Sequence, residues 1–171
     1  MQFSFPNGRM IIAMLALGVT TNAAGGVTES SSDGFTISLS QESQRSDAEL
    51  WQRLQHPEIW WSSAHSWSGD AANMSVEMRA GGCWCERVGD GVVVHGRILR
   101  IDAGRAVLFD APLGPLNEAA VSTRLSWRVE NQRVVWRYQV FGALPMPVEQ
   151  LAPLVEGVLA EQLRRLTGPN S

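Results

Sequence analysis

Residues 121–140 have the sequence VSTRLSWRVENQRVVWRYQV, and this stretch indicates the fold class. Apolar and polar residues alternate on both sides of Asn131 and Gln132, which is the period of a strand with one buried face. The two central residues predict a two-residue hairpin turn. The stretch therefore predicts two antiparallel strands that turn one face, with Trp127 and Trp136 on it, toward a core.

Further strands are predicted upstream of this hairpin. Residues 35–39 alternate between apolar and polar side chains and form the first predicted strand. Two strand-like runs at 83–87 and 92–102 flank a Gly-Asp-Gly turn at 89–91, which is a strong hairpin signal. Together these runs predict a curved antiparallel sheet of about seven strands.

Helices are predicted between the first strand and the rest of the sheet, and again at the C-terminus. Ser46 and Glu49 have the spacing of a capping box. Pro57 ends that helix and can begin a second short one. Apolar residues recur every three or four positions over 151–166 and predict a long helix. Pro153 indicates that this helix begins near it or is kinked there.

The first residues of the chain differ from the rest. One arginine is followed by the apolar run MIIAMLALGV at 10–19 and then by small residues, which is the order of a secretory signal peptide. The run is shorter than the roughly 20 residues that a membrane-spanning helix needs. We predict a signal peptide over 1–23, a flexible tether over 24–33, a single domain over 34–166 and a tail over 167–171.

Export would place the mature protein in the periplasm or outside the cell, without a transmembrane segment. The alternative is a cytoplasmic protein whose start codon has been assigned too far upstream.

Composition and charge exclude some partners. The chain has 171 residues, of which 44% are hydrophobic and 18% are charged, as is ordinary for a globular protein. With a net charge of −3 the chain has no excess of basic residues to bind phosphates, so nucleic acid is disfavoured as a partner. The sequence contains no Gly-rich phosphate loop and no HExxH motif, and we predict no cofactor and no metal. It does not determine the oligomeric state.

Several short motifs lie along this pattern of elements. They are Leu50-Trp51, His56-Pro57-Glu58, Trp60-Trp61, Gly81-Gly82-Cys83-Trp84-Cys85-Glu86, Gly91, His95, Gly157-Val158-Leu159 and Gln162-Leu163. With the order of strand, two helices, antiparallel strands and long helix, they resemble the START-like (SRPBCC) superfamily, which includes the birch-pollen-allergen type. Within it they are similar to the polyketide cyclase and heat-shock-ATPase-activator homologues. The resemblance implies an α+β helix-grip fold, with a cavity between the sheet and the long helix.

Five residues are candidates to bind a small apolar ligand in the cavity that the resemblance implies. They are Trp127, Trp136, Tyr138, Met78 and Trp61. Plain core packing is the alternative for the tryptophans, because each buries a large apolar area. The loop over 110–120 is expected to form the lip of the cavity.

His95, Arg97 and Glu86 are the candidate catalytic residues. His95 and Arg97 are two apart on one predicted strand and therefore share a face. If that face is inward, the three residues would suit general acid–base chemistry on a carbonyl or hydroxyl group. Val92, Val94 and Ile98 compete for the inward face, and a surface His–Arg pair is the favoured interpretation.

Cys83 and Cys85 are predicted to be two buried free thiols, with a vicinal-type redox pair as the alternative. A disulfide between residues i and i+2 of a regular strand fits the usual Cα separations poorly. A metal would need further ligands, which no neighbouring motif supplies.

Three functions follow from these features. The favoured one is binding of a small hydrophobic molecule or lipid by an exported START-like domain. The second is a cofactor-independent enzyme of the cyclase or dehydratase type. The third is a protein-interaction domain resembling chaperone-ATPase activators, which export would disfavour.

Overall fold

The computed structural model describes residues 23–168. The elements in chain order are β1 (Ala24–Ser31), β2 (Gly34–Glu42), α1 (Asp47–Leu54), β3 (Met74–Val76), β4 (Cys83–Val88), β5 (Gly91–Asp102), β6 (Ala106–Asp110), β7 (Val121–Glu130), β8 (Arg133–Gly142) and α2 (Val148–Thr167). The predicted signal peptide lies outside the described residues apart from its last position, and it stays a prediction. Within residues 23–168, no helix has the length and apolar character needed to cross a membrane.

Within the described part of the chain, the sheet is antiparallel and has eight strands, in the order β1-β2-β8-β7-β6-β5-β4-β3. The long helix α2 packs on it and contacts β1, β2 and α1. This arrangement confirms the predicted α+β, helix-grip-like fold class, with one strand more than expected.

The hairpin of β7 and β8 is confirmed. Asn131 and Gln132 both have positive φ angles, 54° and 57°, which match the right-handed twist of the flanking strands. Trp127 in β7 lies directly opposite Trp136 in β8. Both side chains face the core and are almost fully buried.

The predicted helices are also found, with two differences. Ser46 and Glu49 form the capping box of α1. The second short helix is a single 3₁₀ turn over Pro57–Ile59. The long helix begins at Val148, five residues before Pro153, and continues through it. The proline therefore lies near the start of α2, where it removes one backbone hydrogen bond.

The segment expected to be a tether instead forms the edge strand β1. Its backbone pairs with β2 from Ala24↔Ser40 to Ser31↔Gly34. The backbone N–H of Val27 also donates to the carboxylate of Glu156 on α2, at 3.1 Å. Most of its side chains are exposed, so the pairing depends on the backbone and left no apolar signal in the sequence.

Cys83 and Cys85 form a disulfide, so the prediction of free thiols is wrong. Their Cα atoms lie 5.4 Å apart, within the range that disulfides use. The pairing of β4 with β5 is irregular between Trp84 and Cys85, and this departs from the regular strand on which the prediction depended.

Candidate functional site

A pocket of about 610 Å³ lies beside α2 and is the candidate functional site. Its apolar lining comes mainly from Trp61, Trp67, Leu113, Pro115, Met146, Leu151, Leu154, Val155, Val158 and Leu159. Pockets that bind small molecules have volumes of roughly 300–1,000 Å³ and mostly apolar walls with few polar groups. We call this space the α2 pocket.

His95 reaches the α2 pocket because β5 carries a β-bulge. Trp84 in β4 pairs with Gly96, and the next residue, Cys85, pairs with Val94. His95 is therefore the extra residue of β5. As a result His95 and Gly96, although adjacent in sequence, are both buried.

Gly96 makes this bulge possible. A Cβ atom at this position would lie 2.8 Å from the Cβ of Ala111 and 2.9 Å from the carbonyl oxygen of Asp110. Carbon atoms of different side chains do not approach so closely, so only glycine fits without movement of its neighbours. The close approach also brings the segment after β6, with Leu113 in the pocket wall, against the sheet.

His95 is paired with Glu86 in the protein interior. Its Nε2 atom lies 2.8 Å from Oε2 of Glu86, and the side chains are 3% and 0% exposed. The same carboxylate accepts the backbone N–H groups of Trp67, at 3.1 Å, and Ser68, at 2.5 Å. The loop that carries Trp67 into the pocket wall is thus held by Glu86.

The surroundings favour an ionised Glu86 and a neutral His95. Burial opposes ionisation of Glu86, but hydrogen bonds from Ser68, Trp67 and His95 outweigh it and hold its pKa below the ordinary value. Burial lowers the pKa of His95, and the opposing effect of Glu86 is smaller. Because a carboxylate only accepts hydrogen bonds, Nε2 of the neutral imidazole carries the proton and Nδ1 is left as an acceptor.

Arg97 does not belong to this group. Its side chain is exposed, because the bulge interrupts the alternation between His95 and Arg97. The favoured interpretation of a surface His–Arg pair is therefore wrong. The structure brings together His95 and Glu86 of the three candidate catalytic residues and leaves Arg97 outside.

The candidate ligand-binding residues are divided between the core and the pocket. Trp127, Trp136 and Tyr138 are at most 1% exposed and lie in the core, and Met78 is half-buried against it. Trp61 lines the α2 pocket.

Tyr138 does not line the pocket but holds the loop that forms part of its wall. Its hydroxyl donates to the carbonyl of Ala111 at 2.7 Å and accepts from the N–H of Leu113 at 3.3 Å. Burial raises the pKa of the phenol, which therefore stays protonated. Tyr138 thus anchors the loop, and Leu113, Gly114 and Pro115 of that loop line the pocket where a lip was expected.

Sequence reasoning missed the wall that α2 contributes. Leu154, Val155 and Val158 belong to the apolar stripe of the helix, and a stripe of this kind predicts core contacts. In the structure these residues line the pocket, and Leu154 is 61% exposed. The apolar stripe of α2 thus includes residues that the helix does not bury in the core. The width of the stripe was the feature of the sequence that could have indicated a pocket.

No protein-family model matches the chain, and no curated protein matches it by sequence. Among solved structures, an uncharacterized protein from Rhizobium leguminosarum is 14% identical with a TM-score of 0.60, covering 80% of this chain and 94% of that one. CalU16 from Micromonospora echinospora is 16% identical with a TM-score of 0.52, covering 86% and 82%. An uncharacterized protein from Bacillus thuringiensis is 15% identical with a TM-score of 0.51, covering 77% and 96%. These likenesses show that the chain shares its fold with these proteins, and they show the fold alone.

Proposed function

We propose that this protein is a START-like (SRPBCC) domain that binds a small apolar or amphipathic molecule in the α2 pocket. The observation that carries the proposal is a pocket of about 610 Å³ whose walls are aliphatic and aromatic. Two residues of these walls, Trp67 and Leu154, are 46% and 61% exposed. A bound apolar molecule would cover this surface, and removing apolar area from water favours binding by about 25 cal/mol per Å².

Fluorescence titration with naphthalene tests this proposal, because Trp61 and Trp67 line the pocket and report on its contents. We expect saturable quenching in the wild type. The substitution Val158→Trp should fill part of the pocket and weaken binding at least tenfold.

The matched control is Leu99→Trp, which adds the same side chain on β5 at a site that is 46% exposed and outside the pocket lining. It should bind naphthalene as the wild type does. Thermal melts would confirm that both variants fold. Equal binding by Val158→Trp and the wild type would contradict the proposal, and so would an absence of binding by the wild type.

A second candidate function is a cofactor-independent enzyme of the cyclase or dehydratase type. The buried Glu86–His95 pair favours it, because a carboxylate that orients a neutral imidazole makes a general base. Its test is product formation from a hydroxyl- or carbonyl-bearing substrate that binds the pocket. A loss of product with His95→Gln that is larger than its loss of substrate binding would support catalysis, whereas binding of the substrate by the wild type without product would leave the first function alone.

We also propose that the protein is exported, on the basis of the apolar run at 10–19. A reporter fused after Ala24 tests this location. Export of the reporter is expected, and its retention in the cytoplasm would contradict the proposal.

A further inference from the structure

The Glu86–His95 pair determines which kind of polar group a ligand can present to the α2 pocket. Nε2 of His95 is occupied by Oε2 of Glu86 at 2.8 Å. Glu86 in turn is held by backbone N–H groups of Trp67 and Ser68. All of the groups that meet this carboxylate are donors, so the carboxylate acts as a fixed acceptor.

This arrangement fixes the tautomer of His95. If the proton moved to Nδ1, the lone pair of Nε2 would face the carboxylate of Glu86 at hydrogen-bond distance, and the two would repel each other. The proton therefore stays on Nε2, and Nδ1 presents only a lone pair.

Nδ1 is free to meet a ligand. Within residues 23–168 Nδ1 has no hydrogen-bond partner. The fully buried polar atoms without a partner do not include it, so Nδ1 keeps some contact with solvent. His95 lines the α2 pocket although its side chain is only 3% exposed, and its ring lies 5.4 Å from that of Trp84. A nearly buried acceptor without a partner is costly, and a donor from the ligand would remove that cost.

The rest of the pocket narrows the choice of donor. The other titratable side chain in the lining is His65, which is one-third exposed. Its Nε2 atom lies 3.1 Å from Oε2 of Glu161 on α2. Because His95, Trp67 and Ser68 already occupy the carboxylate of Glu86, the ammonium group of a cationic ligand would lose its hydration without a direct ion pair. A neutral hydroxyl group loses less hydration free energy when it is buried, and it still donates one hydrogen bond.

We infer that the natural ligand is an apolar molecule bearing a hydroxyl group, a phenol or an alcohol, that donates a hydrogen bond to Nδ1 of His95. This inference rests on the proposed binding function and names the ligand class for the same pocket. It makes His95 a specificity-determining residue and Glu86 the positioning residue that fixes its tautomer.

Three matched probes test the inference on the wild-type protein: 2-naphthol, naphthalene and 2-methoxynaphthalene. The first can donate a hydrogen bond, the second has no polar group, and the third can only accept. One neutral hydrogen bond should make 2-naphthol bind about three- to tenfold more tightly than either of the others. The preference opposes hydrophobicity, since the hydroxyl makes 2-naphthol the more water-soluble probe.

The variant His95→Phe keeps the ring volume and removes the acceptor. It should lose the preference for 2-naphthol, so that the ratio of the affinities for 2-naphthol and naphthalene falls to about that expected without the hydrogen bond. Glu86→Gln should also weaken the preference, because an amide can donate to Nε2 and move the proton of His95 to Nδ1.

Equal binding of all three probes by the wild type would overturn the inference and leave the binding function standing. Tighter binding of 2-methoxynaphthalene than of 2-naphthol would also overturn it, because Nδ1 would then carry the proton. Binding of none of the three would overturn the proposed function and this inference with it. The wild-type comparison decides the question even if a variant fails to fold.

Discussion

The two ends of the space between sheet and helix are built from different side chains. One end is filled by five tryptophans whose ring centroids lie 5.0–5.8 Å apart in six contacting pairs. They are Trp60, Trp61, Trp84, Trp127 and Trp136. The other end is bordered by aliphatic residues of α2 and remains open as the α2 pocket. Large aromatic residues thus fill the interior at one end, and aliphatic side chains of α2 border the open end, with Trp61 lying between the two.

The filled end is held together by apolar packing. The indole N–H groups of Trp84, Trp127 and Trp136 have no hydrogen-bond partner among the described residues. Edge-to-face and stacked rings stabilise such a cluster beyond the area they bury. At the open end, Leu154 is 61% exposed, so no cluster of buried side chains covers it. Stability should therefore be concentrated at the filled end, and ligand binding at the open end.

The largest effect is expected for Trp127→Ala at the filled end. Removing a fully buried tryptophan should lower the free energy of unfolding by about 3–5 kcal/mol, because a cavity replaces its ring contacts. Leu154→Ala at the open end should change it by no more than about 0.5 kcal/mol, since that side chain is 61% exposed. Urea denaturation followed by circular dichroism measures both. Similar losses of unfolding free energy in the two variants would contradict the expected difference between the filled end and the open end.

A smaller effect is expected at the boundary between the two ends, where Gly96 allows the bulge. Gly96→Ala should lower the free energy of unfolding by about 1–3 kcal/mol, because the new methyl group would be 2.8 Å from the Cβ of Ala111. The control is Gly157→Ala on α2, where a Cβ meets nothing within 4 Å. That substitution should stabilise the helix by up to about 1 kcal/mol. If both glycine variants shift the urea midpoint in the same direction, the bulge does not need its glycine.

The smallest effect is a pH dependence that comes from His95. Because folding lowers its pKa from 6.5, the stability it contributes is present above pH 6.5 and is lost as the pH falls toward the folded-state pKa. One proton gives a slope of at most about 1.4 kcal/mol per pH unit. Glu86, whose pKa is also lowered, adds a loss in the same direction below its ordinary pKa of 4.5.

Urea midpoints at pH 7.5, 6.5 and 5.5 measure this dependence in the wild type and in His95→Phe. The variant should lose less stability over this range, because it lacks the imidazole whose protonation the folded state opposes. Equal slopes for the two proteins would assign the pH dependence to other residues.

Local signals predicted the elements whose structure depends on neighbours in the chain. The turn at Asn131 and Gln132 requires positive φ angles, and the capping box of α1 needs residues only three apart. Strand β1 has no such signal, because its partner is the free edge of β2 and its side chains are mostly exposed.

The site was only partly predictable for a related physical reason. Glu86 and His95 were named as candidates, but strict alternation along β5 assigned His95 the same face as Arg97. One extra residue in β5 reverses the face of every side chain after it. The room for that residue depends on how closely Ala111 approaches Gly96, which is a contact between segments distant in the chain.

By itself the sequence determined that apolar faces of antiparallel strands and a long helix would meet in an α+β fold, because periodicity and turn chemistry are local properties, and the helix-grip arrangement was what the resemblance implied. It also identified the tryptophans as large buried groups. Only the tertiary structure decided that Trp127 and Trp136 fill one end of the interior, and that the α2 pocket remains at the other. The bulge that turns His95 toward this pocket depends on packing between non-adjacent segments, which no local pattern encodes.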